Sequence, residues 1–199
     1  SLSYMADRTE LKITSYQNYS PNYHLSKVMG SGYEPGADWI EWGSGSAGWL
    51  YIYQMSGLEV YIHGYESELG YNPNDIISFN GSFSATRGEN LTDNSSLYYM
   101  PPDRFLLSTE INLLPFSINL MHKKVFDQNR IGLYESATSG YETYNLIGTY
   151  TMRNSWAIHK IILQIDNIFD RKYYNHLSRI KSIMPEKGRN IGLQYRLNF

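Results

Sequence analysis

Cysteine is absent from the 199 residues, which excludes disulfides, thiolate metal sites and a thiol nucleophile while leaving the compartment open. No apolar run approaches the ~20 residues that carry a helix across a bilayer. Any crossing must therefore be made by strands of about 9–11 residues, because only helices and closed barrels satisfy every backbone polar group in hydrocarbon. With a net charge of −2, the chain offers no electrostatic reason to expect nucleic acid as a partner. Ser, His and Asp all occur, but no Gly-x-Ser-x-Gly elbow accompanies them. The five histidines, His24, His63, His122, His159 and His176, are scattered singly, without the close pairing of metal ligands. The segment from Gly43 to Gly48 is glycine-rich with no following lysine, so it reads as a loop and not as a phosphate cradle.

What the chain has instead is alternation. In the final segment Ile191, Leu193, Tyr195, Leu197 and Phe199 are apolar, and Gly192, Gln194, Arg196 and Asn198 are not. That is a strand with one apolar and one wet face. The pattern recurs at Ile77–Ala85, Phe105–Leu113, Phe116–Leu120, Tyr144–Met152 and Ile161–Ile165. It predicts nine strands, over 1–6, 9–26, 49–71, 76–88, 104–113, 116–126, 142–153, 156–169 and 189–199. Short turns at Asn72–Asp75, Leu114–Pro115 and Asn154–Ser155 join one set of strand ends; long polar segments, 29–48, 89–103, 127–141 and 170–187, join the other. Short turns on one side and long loops on the other, with 19 Tyr and 4 Trp to form interfacial girdles, define an all-β, antiparallel transmembrane barrel of the outer-membrane type. A mean hydropathy of −0.44 does not oppose this, because lumen faces, turns and loops dilute the lipid-facing half of each strand. A soluble two-sheet protein is the alternative, although several faces opposite the apolar ones carry Ser, Asn, Thr, Glu and Arg throughout. An odd strand number leaves an edge of unpaired backbone. Together with a start at Ser1 that shows no signal peptide, this leads to the expectation that residues 1–199 are the C-terminal portion of a larger barrel.

Four sequence elements carry a family resemblance. Ile165–Asp170 (Ile-Asp-Asn-Ile-Phe-Asp) followed by Tyr173 resembles the Asn-Leu-Phe-Asp…Tyr signature near the end of TonB-dependent outer-membrane receptors, with Asn167, Phe169 and Asp170 at the matching places. Pro185–Asn190 resembles the Pro-Gly-Arg-Asn element entering their last strand, through Gly188, Arg189 and Asn190. Gly64-Tyr65-Glu66 resembles their Gly-Phe-Glu segment, and Met100-Pro101-Pro102 their Met-Pro-Pro element. Ile168 replaces the usual Leu, and Lys187 stands where a Pro is frequent. The resemblance implies about the last nine strands of a roughly 22-stranded barrel, whose plug domain, signal peptide and TonB-contacting segment are not in this chain. It implies energy-coupled uptake of a scarce nutrient, most often an iron–siderophore complex or another metal chelate, with no catalysis and no cofactor. The implied partners are outer-membrane lipid, the small-molecule ligand, the TonB complex through the N-terminal region, and the barrel assembly machinery. That machinery would read Tyr195, Leu197 and Phe199 as its signal. A passive porin or adhesin barrel, or an outer-membrane esterase or phospholipase, are the other functional classes. The motif residues are expected to be architectural: Asn167 and Asp170 accepting bonds from local amides at the rim, Phe169 and Tyr173 in the girdle, Gly188 in the turn. His24 and His176, near predicted outer loops, are expected at the surface, in reach of a metal chelate.

Overall fold

The computed structural model describes residues 1–30, 52–132 and 135–199. The predicted start of the third strand at 49–51, the segment Gly43–Gly48 and nearly all of the 29–48 connection lie outside them. Among the described residues ten antiparallel strands form one sheet: β1 (Leu2–Ala6), β2 (Thr9–Gly30), β3 (Ile52–Tyr71), β4 (Ile77–Asn90), β5 (Ser95–Ser96), β6 (Arg104–Leu113), β7 (Phe116–Val125), β8 (Tyr141–Arg153), β9 (Ile158–Asp166) and β10 (Asn190–Asn198). Each long strand pairs with its neighbours in sequence, in the order β1-β2-β3-β4-β6-β7-β8-β9-β10, and β5 folds back on β4. No second sheet exists among the described residues, which removes the two-sheet alternative. The sheet is open, with β1 and β10 as its edges.

Because directly paired residues share a face and the period is two, the register carries the alternation across the whole sheet. One row runs Ile191, Ile165, Leu146, Leu120, Thr109, Phe79 and Tyr71 from β10 to β3. The adjacent polar row runs Asn145, Met121, Ser108, Asn80, Gly70 and Glu10 from β8 to β2. The polar face is the concave one: Glu10, Lys12, Glu68, Asn80, Ser108 and Asn145 line a single hollow of about 470 Å³ that spans six strands. The opposite, convex face leaves large apolar side chains exposed, Leu193 at 76% and Phe199 at 92%. An apolar exterior around a wet concavity inverts the usual arrangement of a soluble sheet and matches a wall between lipid and lumen. Aromatic pairs mark both ends of the convex face: Tyr71–Phe79, Phe116–Tyr150 and Trp156–Phe199 near the short turns, Tyr65–Phe83 and Tyr144–Phe169 toward the long connections.

Strand limits differ from the sequence expectation where side chains cap the ladder. The predicted strand 156–169 begins at Ile158, because Asn154 Oδ1 accepts the amides of Trp156 (3.1 Å) and Ala157 (2.8 Å). It ends at Asp166, because Asn167 and Asp170 turn left-handed at φ 51° and 53°. The expected loop 89–103 contains β5, formed as Asn90 Oδ1 accepts the Thr92 amide at 3.1 Å and Asn94 (φ 51°) reverses the chain. β2 has 22 residues and β3 has 20. At ~3.3 Å per residue these strands reach ~65–70 Å, well beyond the ~30 Å hydrocarbon layer. Pro21 is accommodated in the β2 register shift between Ser20 and Tyr23.

Gly64 explains itself locally. It lies opposite Tyr16 on the concave face, and the Tyr16 ring crosses it so that its hydroxyl meets Thr86 Oγ1 at 2.6 Å on β4. A Cβ at residue 64 would stand 2.6 Å from that hydroxyl, so only glycine lets one side chain bridge three strands. Glu66 follows on the same face, between Thr14 and Ser84.

The two-faced wall makes a direct prediction. In the full-length protein, Leu163→Arg on the convex face should cost about 2–4 kcal/mol if its site is near the bilayer midplane and sharply lower the heat-modifiable folded band. Gln164→Arg, one residue on and facing the lumen, should leave that band near wild type. Equal behaviour of the two variants would contradict the assignment of faces.

Candidate functional site

The long connections leave the sheet at one end: 91–103 between β4 and β6, 126–140 between β7 and β8, and 167–189 between β9 and β10. The last is closed by a staple built from the two C-terminal motifs. Asn167, only 4% exposed, donates from Nδ2 to the carbonyl of Arg171 (2.8 Å) and at 3.4 Å to that of Lys187, while its Oδ1 accepts the Arg171 amide at 2.9 Å. Its own amide donates to Asn145 Oδ1 on β8 at 2.8 Å. Asp170 Oδ1 accepts the Arg189 amide at 2.7 Å. A Cβ on Gly188 would lie 2.7 Å from that oxygen, so a side chain at 188 would push against the carboxylate that holds the Arg189 amide. Asn190 then pairs with Asp166 and opens β10. Phe169 projects on the convex side, edge-on to Tyr144 at 5.2 Å, whereas Tyr173 lies 4.2 Å from Tyr141, which has the register of the concave face, so Tyr173 packs away from the girdle expected of it.

The three connections also interlock. The chain 97–103 folds inward over the extension of β3, where Leu58, Val60 and Leu97 form a small apolar core with Met100 against it. Pro101 and Pro102 follow, half-buried, and carry the chain to Asp103. Asp103 makes a two-pronged ion pair with Arg87 of β4, Nη2 to Oδ2 at 2.6 Å, and its carbonyl accepts the Phe126 amide at 2.9 Å. Gln128 Nε2 donates to the Met100 carbonyl at 2.9 Å, and Glu135 accepts the amides of Gly132 (3.0 Å) and Tyr99 (3.2 Å). Below Glu135 lies the third connection: His176 Nε2 stands 2.9 Å and Lys181 Nζ 3.5 Å from Glu135 Oε1. Side-chain exposures of 3%, 1% and 8% for Glu135, His176 and Lys181 mark a buried ionic node, where an unpaired charge would be costly.

The node fixes the protonation of its histidine. His176 Nδ1 faces Thr138 Oγ1 at 2.9 Å and Lys181 Nζ at 3.2 Å. An ammonium only donates, so Nδ1 is the acceptor and the ring is neutral with its proton on Nε2, which lies close to Glu135 but outside hydrogen-bond geometry and has no hydrogen-bond partner among the described residues. Burial pushes the His176 pKa down from 6.5, the Lys181 charge pushes the same way, and Glu135 opposes both. Burial also lowers the Lys181 pKa, against Glu135. With the folded pKa of His176 below its unfolded value, the folded state binds fewer protons. Its contribution is complete above pH 6.5 and fades as pH falls below that value toward the folded pKa.

The expected surface position of His176 is therefore corrected: it is 2% exposed, enclosed by Glu135, Lys181 and Thr138, and out of reach of a chelate. His24, by contrast, lies on the outer extension of β2. Of the sequence-chosen residues, Asn167, Phe169, Asp170, Tyr173, Gly188, Arg189 and Asn190 come together at the staple. Gly64 and Glu66 sit apart on the concave wall, and Tyr195, Leu197 and Phe199 lie toward the short-turn end, where Phe199 stacks on Trp156 at 5.9 Å. Sequence reasoning missed Glu135 and Lys181 altogether; nothing in their local spacing signals a contact between separate loops. No group of three or more His, Asp or Glu suited to a metal ion occurs among the described residues.

No family model matches the chain. Its fold is that of the barrel wall of TonB-dependent outer-membrane receptors, the class its motifs resemble. Solved structures carry the likeness: the copper transporter OprC (TM-score 0.76, 20% identity, over 95% of this chain and 28% of that one), the pyoverdine outer membrane receptor FpvA from Pseudomonas aeruginosa PAO1 (0.68, 14%, 98% and 28%), and the FrpB iron transporter from Neisseria meningitidis (0.67, 12%, 96% and 29%). The chain spans less than a third of the length of these structures.

Two measurements test the loop assembly. Asn167→Ala removes a buried amide serving three backbone groups. It should cost about 1–3 kcal/mol and open 171–188 to limited proteolysis in the folded full-length protein; an unchanged cleavage pattern would contradict the staple. Lowering pH from 7.5 to 5.5 should reduce hydrogen-exchange protection in 127–132 and 173–184, after correction for intrinsic rates, while β6–β9 keep theirs. Constant loop protection over that range would contradict a neutral, buried His176.

Proposed function

We propose that residues 1–199 form the C-terminal part of the wall of an outer-membrane receptor that takes up a metal ion or metal chelate, the transport being energised through TonB by an N-terminal region outside this chain. The observation that carries the reading is the single sheet with an apolar convex face and a polar concave face, which aligns over 95% or more of its length with the barrels of a copper transporter, a pyoverdine receptor and an iron transporter. The two free sheet edges would be costly in hydrocarbon and fit a wall continued by further strands. Asn167, Asp170, Gly188 and Arg189 act in this reading as the brace of the β9–β10 connection, Gly64 as the seat for Tyr16, and Pro101 and Pro102 as the stiff return into β6. Tyr195, Leu197 and Phe199 present the apolar C-terminal face that the barrel assembly machinery reads. The ligand meets the interlocked outer connections first and the polar wall next. The work is binding and translocation, with no bond made or broken.

The test is uptake by cells carrying or lacking the full-length gene, supplied with radiolabelled iron as siderophore complexes, or with copper, with and without an uncoupler. Uptake lost in the deletion strain and abolished by the uncoupler is expected. Uptake that survives the uncoupler would instead identify a passive pore, and the energy-coupled reading would fall.

A further inference from the structure

Beyond the staple, the last connection closes a second time: the Tyr173 carbonyl accepts the Glu186 amide at 2.9 Å, so that 174–185 form a strap pinned at its base. Among the described residues the backbone hydrogen bonds of the strap run within itself. The Ser178 amide meets the Asn175 carbonyl at 3.0 Å, Lys181 meets Ser178 at 3.2 Å, and Ile183 and Met184 both meet Ile180 at 2.9 Å. Outward, Leu177, Ile180, Ile183 and Met184 are exposed, Ile183 at 82%. Inward, His176 and Lys181 alone of the strap are buried, and they meet Glu135 and Thr138 of the 126–140 connection. A segment with local bonds, little buried apolar surface and one polar attachment belongs to the low-stability end of a structure.

That attachment carries its own trigger. Among the described residues Glu135 and Lys181 are the charged groups facing the His176 ring, one carboxylate and one ammonium around a neutral imidazole. A proton from solvent can enter the ring only at Nδ1, where it points at Lys181 Nζ, 3.2 Å away. Two cations then face each other beside a single carboxylate, in a site whose side chains are at most 8% exposed, so their repulsion is poorly screened. Lys181 is the member free to leave, because a swing of the strap carries it to solvent without breaking any strand pairing. Glu135 is held in place by the amides of Gly132 and Tyr99.

We propose that 174–185 is a proton-released strap, closed while His176 is neutral and lifted, with Lys181 withdrawn from Glu135, once Nδ1 is protonated. The proposal rests on reading the chain as part of an outer-membrane receptor, whose outer connections are what a ligand meets first. Lys181 and Ser182 of the strap wall a hollow of about 480 Å³ together with Thr138, Tyr141 and Tyr173. Tyr141 has the register of the concave face, so lifting the strap opens this hollow toward the polar wall. The closed form binds one proton fewer than the open one. Acid therefore favours opening, and closing returns a proton to solvent.

The experiment uses the full-length receptor in neutral detergent, spin-labelled through Asn129→Cys and Ile183→Cys, both exposed sites in a chain with no cysteine of its own. Pulsed dipolar spectroscopy should give a narrow distance distribution at pH 7.5. Toward pH 5.5 a longer, broader population should grow about tenfold per pH unit while it is the minor one, the slope of a single proton. His176→Gln keeps an acceptor toward Lys181 without titrating, and Lys181→Met leaves a protonated ring beside Glu135 with no opposing cation. Both variants should stay narrow at either pH. Wild-type distances that ignore pH overturn the proposal, as does opening retained in either variant, which would put the decisive proton elsewhere. If one variant is already broad at pH 7.5 the other decides; both broad there would mark a fixed clasp and would also overturn the strap. Failure of the wild-type protein to fractionate with outer membranes would bring down the barrel reading itself, whereas correct fractionation with pH-independent distances defeats only the strap.

Discussion

A backbone amide in hydrocarbon has no water to turn to, and everything in this chain follows from meeting that demand laterally, strand to strand. Once the ladder supplies the hydrogen bonds, side chains are released to divide by parity. Odd-numbered residues of β9 and β10, such as Leu163 and Leu193, face outward, and even-numbered ones, such as Gln164 and Arg196, face the concavity. The chain can then be polar on average and still present a largely apolar exterior. Among the described residues the buried apolar cluster is small, Leu58 and Val60 on the outer part of β3 with Leu97 of the 91–103 connection packed over them.

The ladder fixes the wall but leaves the outer connections to find their own order, and they do so with polar chemistry. Asn167 and Asp170 turn the chain left-handed and spend their side chains on backbone groups of Arg171, Lys187 and Arg189. Glu135 gathers amides from two connections and places its carboxylate beside His176 and Lys181 of a third. A preordered rim of this kind lowers the entropy a ligand must supply on binding. It also couples the connections, so that a disturbance at 126–140 is felt at 167–189.

The wall was legible in the sequence because its signal is local. Parity along Ile191–Phe199 or Phe105–Leu113 identifies strands and faces with no knowledge of partners, and the asymmetry of short and long gaps orders them. The motif residues Asn167, Asp170, Gly188 and Arg189 could be chosen from their resemblance, but their mutual contact, across about 20 residues of chain, needed the fold. Glu135, His176 and Lys181 were illegible: a lone histidine in a polar loop looks like a surface residue, and only the closing of three loops buries it. The strand ends shifted for a related reason, since Asn154 and Asn167 cap their neighbours with side-chain bonds that alternation cannot register.

The central claim, that one face of this sheet meets lipid, can be measured directly because the chain has no cysteine of its own. Single cysteines placed from 159 to 165 in β9 of the full-length protein, labelled with a fluorophore and reconstituted with bromine-labelled lipid, report contact with acyl chains residue by residue. The account predicts strong quenching at 159, 161, 163 and 165 and little at 160, 162 and 164. Quenching without a two-residue period, or with the opposite parity, would contradict it.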